Sequence, residues 1–261
     1  MNILQAQNLN YTINKTKILK DIKFSVNEGD FVAILGPNGS GKTTLLKNIL
    51  KINVQMGRQS RLPLQTINLF GTDINQYKRK ELAKKIAYVP QIITFDYDFT
   101  VETVVLMGRT SYLKVFEDYS EKDMQIAKIA MEKTNVYHLK DRSIHTLSGG
   151  ELQRVVIARA LTQKTPILIL DEPVSNLDIY QQIEIMQLLE ELNKTENITI
   201  VTVLHDINLA LKHCNKAILL NKGEVVAQGL MDEVVTVENI KEVFEVDIKL
   251  IDTNKHKHMI M

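Results

Sequence analysis

The sequence predicts an α/β protein built on a parallel sheet, with a helical segment inserted into it. Short runs of Val, Ile and Leu recur at Phe31–Leu35, Ile86–Val89, Ile167–Leu170 and Ile198–Val203, several of them nearly unbroken. Strands buried on both faces have that composition and belong to parallel sheets covered by helices. Segments of helical spacing lie between the runs, the alternation of an α/β architecture. From about Tyr97 to Thr146 the helical periodicity continues without a convincing strand, so this stretch is expected to form the insert.

Each element has its own signal. Phe31–Leu35 is followed by a glycine-rich turn and a helix expected over Thr43–Leu50. In Glu121–Thr134, Met124, Ala127, Met131 and Thr134 follow helical spacing, and Ser120 with Asp123 resembles a helix-starting box. Gln181–Asn193 places Ile185, Leu188, Leu189 and Leu192 on one broad face. Lys216–Leu220 and Glu224–Gly229, joined by Asn221-Lys222-Gly223, read as a hairpin.

Composition bounds the function classes. The chain has 261 residues, one cysteine (Cys214), and 32 Lys and Arg against 31 Asp and Glu, a net charge of +1. A chain of this size buries roughly 73% of its surface and needs no staples. A single cysteine excludes an internal disulfide framework and fits a reducing compartment. The near-zero charge removes any composition-level case for nucleic acid or an anionic membrane. The longest stretch without Asp, Glu, Lys or Arg, Met1–Asn14, is rich in Asn and Gln. No membrane span of about 20 apolar residues is expected, and no secretory signal is visible. A soluble, globular, intracellular chain is the expectation.

Gly36-Pro37-Asn38-Gly39-Ser40-Gly41-Lys42-Thr43 fits the phosphate-loop pattern, with a strand before it and a helix after it. Glycines let successive N–H groups curl around phosphate oxygens, and the helix start adds positive potential. Lys42 should bridge the β- and γ-phosphates and the Thr43 hydroxyl should ligate Mg²⁺. Ile167-Leu168-Ile169-Leu170-Asp171-Glu172 then delivers two carboxylates to a strand's carboxyl end, where open α/β sheets bind ligands. Asp171 is placed to hold Mg²⁺ through its water shell, leaving Glu172 to polarise an attacking water.

Leu147-Ser148-Gly149-Gly150-Glu151-Leu152-Gln153-Arg154 resembles the signature of the ATP-binding cassette (ABC) ATPases. It offers a hydroxyl, bare glycine N–H groups and a helix start, a second anion site in the same chain. The resemblance covers roughly residues 2–250. It implies the P-loop NTPase fold of ABC ATPases: a RecA-like parallel-sheet core, an antiparallel β subdomain and an inserted helical subdomain. On that pattern the chain is a single nucleotide-binding domain, with 97–146 and the helix 147–163 as the helical subdomain and 1–96 and 164–261 as the α/β core.

The same resemblance assigns roles. ATP is held by Tyr11, which follows the first strand and stacks on adenine, and by Gly36, Pro37, Asn38, Gly39, Ser40, Gly41, Lys42, Thr43 and Thr44. Gln91 reaches Mg²⁺ and the attacking water, so the metal set is Thr43, Gln91 and Asp171. Glu172, His205, Gln91 and Lys42 form the catalytic group, with His205 on the γ-phosphate. Ser148, Gly149, Gly150 and Glu151 contact the partner's ATP, and Ser175, Asn176, Leu177 and Asp178 form the loop at the dimer interface. A head-to-tail homodimer, or a dimer with a related cassette, is implied. Glu151 departs from the glutamine most common at that position. The stretch Asn53–Leu64, with Arg58 and Arg61, is longer than the usual link.

A single cassette without a fused membrane domain resembles an importer's ATPase subunit, peripheral on the cytoplasmic side of the cell membrane. Phe99–Arg109, Leu177-Asp178-Ile179 with Gln181-Gln182-Ile183, and Leu204–Ala210 are similar to ATPases of iron-chelate, haem and vitamin B12 importers. Zinc or manganese importer ATPases and soluble iron–sulfur assembly cassettes are the alternatives. Membrane permease subunits are implied as partners near Gln91 and the helical subdomain, with a solute-binding protein acting indirectly and no nucleic acid. His256, His258, Met259 and Met261 are expected in a frayed tail rather than a metal site, and Cys214 is expected to be a small, partly buried residue.

Overall fold

A computed structural model of the chain describes residues 1–52, 66–252 and 257–260. It divides into two compact units, one of Met1–Tyr77 with Glu190–Met261 and one of Lys78–Leu189. The stretch Asn53–Leu64 lies outside the described residues, as do His256 and Met261.

The first unit opens with β1 (Asn2–Ile13) and β2 (Thr16–Asn27), an antiparallel pair. Asn14 and Lys15 between them both have positive φ, 46° and 68°, the backbone of a type I′ hairpin turn. On β2, Ile22, Phe24 and Val26 are buried and alternate with exposed residues, so one face is covered and the other is wet. β3 (Phe31–Leu35) is buried at all five positions and leads through the glycine-rich loop into α1 (Lys42–Ile49). β4 (Thr66–Leu69) and β5 (Thr72–Asp73) complete a four-stranded sheet of order β2-β1-β4-β5.

The second unit contains the short helix α2 (Arg79–Leu82), β6 (Ile86–Val89), α3 (Val101–Leu106), α4 (Glu121–Lys133), α5 (Gly149–Thr162) and β7 (Ile167–Asp171). The unit boundary falls within α6 (Ile179–Glu196). β6 and β7 run parallel, Ile86 opposite Ile167. Between residues 97 and 146 every named element among the described residues is a helix, beside one isolated bridge, Thr100 to Ser143. The expected box at the start of α4 is present: the Asp123 N–H donates to Ser120 Oγ at 3.3 Å, and Asp123 Oδ2 accepts from the Ser120 N–H at 3.0 Å.

α3, α4 and α5 bury a common core that includes Val101, Val104, Val105, Met131, Val155 and Ala158. A buried ion pair lies among them. Arg109 Nε donates to Asp123 Oδ1 at 2.7 Å, its Nη1 donates to the Thr162 carbonyl at 2.8 Å, and the guanidinium lies 3.8 Å from the Tyr112 ring centroid.

The chain then returns to the first unit through β8 (Thr199–Val203), α7 (Ile207–His213), β9 (Lys216–Asn221), β10 (Glu224–Leu230), α8 (Met231–Val234) and α9 (Val237–Phe244). Within this unit the strand order is β10-β9-β3-β8, with β3 parallel to β8 and β9. β3, β6, β7 and β8 match the apolar runs to within one residue at either end.

Two expectations are corrected. The C-terminal segment is a hairpin rather than a frayed tail: β11 (Lys249–Asp252) pairs with β12 (Lys257–Ile260). Asn208 of α7 fastens it, accepting from the Met259 N–H at 2.7 Å and donating to the Met259 carbonyl at 3.0 Å. His258 is exposed there. Cys214 is buried rather than partly buried, with 7% of its surface exposed, and burial pushes its thiol well above the ordinary range.

Candidate active site

The phosphate loop begins where β3 ends. Gly36 has φ +150°, and a Cβ there would stand 2.2 Å from the Leu220 carbonyl oxygen, so only glycine makes that turn. α1 has Gly41 as its cap residue, with no side-chain cap and no acidic residue in its first turn. The starts of α3, α4, α5, α7 and α9 are each capped by a side chain, from Thr100, Ser120, Ser148, Asp206 and Thr236. A helix start without a side-chain cap is the setting in which backbone N–H groups receive an anion.

Lys42 is 5% exposed and donates to the carbonyls of Gly36 at 2.8 Å and Pro37 at 3.0 Å. Ser40 Oγ is buried with no hydrogen-bond partner among the described residues. Asn38 and Gly39 are exposed, and a cleft of about 290 Å³ opens between the loop, Lys222 and Val243–Glu245. The Leu204 N–H donates to the Ile34 carbonyl at 3.3 Å, which brings the exposed His205 to the end of the sheet that carries the loop. Lys42, Thr43 and His205 thus share one unit and one end of its sheet. Tyr11 is inside β1 rather than after it, and it is 7% exposed, so stacking on adenine requires its ring to be uncovered.

The carboxylates belong to the second unit. Every residue of β7 is buried, and Asp171 at its end is 1% exposed. Glu172 has φ +51°, left-handed backbone that a glutamate adopts at a cost of order 1–3 kcal/mol. The Ser175 N–H (3.2 Å) and hydroxyl (2.9 Å) both donate to the Glu172 carbonyl and hold that turn. Gln91, exposed just past β6, donates from Nε2 to Glu172 Oε2 at 2.6 Å.

Tyr88 is a site residue that the motifs do not mark. It lies opposite Ile169 in the β6–β7 register, so with the two-residue repeat of a strand it shares a sheet face with Asp171. Its phenol hydrogen-bonds the Asp171 carboxylate. Burial, then the Asp171 charge and this bond, push the phenol up to about 12. A tyrosine one strand away and on the face of Asp171 is visible only once the register is known.

The three residues that the sequence assigns to Mg²⁺ have the donor chemistry for it. The Thr43 hydroxyl, the Asp171 carboxylate and the Gln91 amide oxygen are all hard oxygen donors, and Mg²⁺ is held by one or two carboxylates plus phosphates rather than an all-protein cage. Among the described residues no group of three or more His, Cys, Asp or Glu is arranged to hold a metal.

The signature and the loop after Glu172 pack together. A Cβ at Gly149 would lie 3.5 Å from Leu177, and one at Gly150 would meet the Gln181 amide at 2.7 Å. Asp178 caps α6 through the Gln181 N–H at 2.8 Å, and Gln182 Nε2 donates to the Leu177 carbonyl at 3.0 Å. Ser148, Gly149, Asn176 and Asp178 are exposed. Glu151 completes a capping box with Ser148: Ser148 N–H and Oγ donate to its Oε2 at 2.7 and 2.8 Å, while its own N–H donates to Ser148 Oγ at 3.3 Å. The Ser-x-x-Glu spacing carries that signal in the sequence.

Known proteins resemble the chain over nearly its whole length. Residues 19–175 match the ABC transporter family. The iron(3+)-hydroxamate import ATP-binding protein of Bacillus subtilis is 37% identical, over 98% of this chain and 93% of its own. A metal-chelate type ABC transporter solved in an inward-facing conformation superposes with a TM-score of 0.83 at 29% identity, over 99% of this chain and 96% of that one. A dimeric ATP-binding cassette in a post-hydrolysis state with ADP and phosphate gives 0.71 at 29% identity, over 88% of this chain and 99% of that one. A phosphate loop on an uncapped helix, together with a signature helix, accounts for the match in chemical terms: the chain belongs to the ABC transporter family and is an ATPase.

Proposed function

We propose that the chain drives a membrane importer of iron chelates, with ferric siderophores favoured and haem or cobalamin of the same branch. The observation that carries the proposal is the near full-length likeness to an iron(3+)-hydroxamate import ATPase. The metal-chelate type structural neighbour supports it. The whole chain acts as one nucleotide-binding domain, with 97–146 and the helix 147–163 as the arm that transmits force. It sits on the cytoplasmic face of the membrane, and no described helix is long and apolar enough to cross a bilayer.

ATP docks on the uncapped start of α1. Lys42 exchanges the Gly36 and Pro37 carbonyls for the β- and γ-phosphates, and Tyr11 packs on adenine. Thr43, Asp171 and Gln91 would hold Mg²⁺, which would supply positive charge against the phosphates. Glu172 accepts a proton from the attacking water, and His205 contacts the γ-phosphate. Two copies meet head-to-tail, each presenting Ser148–Glu151 and Ser175–Asp178 to the other's nucleotide. The exposed neighbourhood of the signature and that loop supports this, as does the dimeric cassette among the structural neighbours. ATP drives closure because it binds the closed dimer better than the open one. The exposed apolar residues Ile92 and Tyr97, which follow Gln91 before α3, suit contact with a permease.

The test is affinity capture of the chain from solubilised membranes, with ATPase assayed in the captured complex. Recovery of an integral membrane permease whose ATPase rises with a ferric chelate and its binding protein is the expected result. A soluble partner alone would overturn the importer assignment in favour of an assembly cassette.

A further inference from the structure

Glu151 engages both side-chain and backbone donors of Ser148 through a single oxygen, Oε2, at 2.8 and 2.7 Å. The hydroxyl is one of the donors that the signature would offer an incoming phosphate. The carboxylate is half-buried, and Arg142 Nη1 lies 3.9 Å from its other oxygen, Oε1. We infer that the Glu151 carboxylate is a built-in competitor for the signature's phosphate-binding donors, and that it sets the ATP level at which the dimer closes. The inference rests on the signature meeting a partner's nucleotide, as proposed above.

The chemistry is a matter of charge and geometry. A γ-phosphate reaching Ser148 must displace Oε2 from the hydroxyl, and it then stands beside a negative charge that does not leave with the bond. The Ser148 N–H and hydroxyl hold Glu151 below the ordinary carboxylate range, so it stays ionised at neutral pH. Ser120 and Asp123 form the same box at the start of α4 in a purely structural setting, which shows that the box by itself needs no ligand. What distinguishes Ser148 is its place: it precedes the exposed Gly149, whose Cβ would lie 3.5 Å from Leu177 of the Ser175–Asp178 loop.

Glu151→Gln separates the two roles, because glutamine at this position preserves the box and removes the charge. Both Glu172→Gln and Glu172→Gln/Glu151→Gln chains are titrated with MgATP and followed by analytical ultracentrifugation at low and high NaCl. The expected result is a half-dimerising ATP concentration about fivefold lower for the double variant at low salt, a gap that narrows as salt screens the charge. Unfolding temperature should be unchanged. Equal half-points, or a weaker dimer in the double variant, would overturn the inference while leaving the dimer intact. Absence of any ATP-dependent dimer in both chains would remove the head-to-tail arrangement and the inference with it.

Discussion

Replacing Glu172 by glutamine tests the proposed chemistry most directly, because the structure predicts that turnover and stability respond differently. Gln91 Nε2 donates to Glu172 Oε2 at 2.6 Å, and an amide oxygen in the same place still accepts that bond. Only the charge assistance is lost, about 1 kcal/mol. The left-handed backbone at 172, with φ +51°, is as costly for glutamine as for glutamate, and Ser175 still holds the turn through the Glu172 carbonyl. The fold therefore changes little. Catalysis loses its proton acceptor, a deficit of about 10²–10⁴ in rate, or roughly 2.7–5.5 kcal/mol of barrier. Phosphate release at saturating MgATP, read beside thermal unfolding and ATP-dependent gel filtration, measures all three. The expected variant melts like the parent, binds ATP, accumulates as a dimer and barely turns over. Hydrolysis at the parental rate would refute the assignment of Glu172 as the base.

Lys42→Ala removes a buried cation and should weaken ATP binding by about 2–4 kcal/mol in a fluorescent-nucleotide titration, since hydrogen bonds to charged groups carry about 1.5–3 kcal/mol each; undiminished affinity would contradict its place on the phosphates. Arg109→Met strands the buried Asp123 carboxylate and should cost about 3–5 kcal/mol in urea unfolding. Adding Asp123→Asn should recover part of that loss, and strict additivity would argue against a coupled pair. The hydrogen bonds from Ser120, reinforced by Arg109, hold Asp123 below the ordinary carboxylate range. Its folded value therefore lies below its unfolded one, so its contribution is complete above pH of about 3.9 and drains as pH falls through the folded value. Ser120→Ala should flatten that acid limb in stability measured against pH, and an unchanged limb would discount the bond. Tyr88→Phe deletes the hydrogen bond to Asp171 and should raise the Mg²⁺ concentration needed for half-maximal ATPase, with ATP affinity in EDTA unmoved; an unchanged Mg²⁺ requirement would make Tyr88 a packing residue only.

What local sequence determines here is whatever depends on neighbours a few residues apart. Unbroken apolar runs announced β3, β6, β7 and β8, because a strand covered on both faces has no polar side to interrupt the run. The glycine spacing of 36–43 and the Ser-x-x-Asp and Ser-x-x-Glu boxes are equally local, each closing within one helical turn. β1 and β2 were hard to read as long strands. Their polar residues face solvent, and β1 breaks register with β2 at several points, with Asn8 at φ 49°. The C-terminal hairpin was hidden in the same way by its Lys- and His-rich sequence, and Asn208, far back in the chain, is what fastens it. Tertiary structure alone decided that Gln91 grips Glu172, that Tyr88 reaches Asp171, and that Arg109 finds Asp123 and Thr162. Those contacts depend on strand register and helix packing, which join residues far apart in sequence, and no spacing rule within either segment specifies the partner.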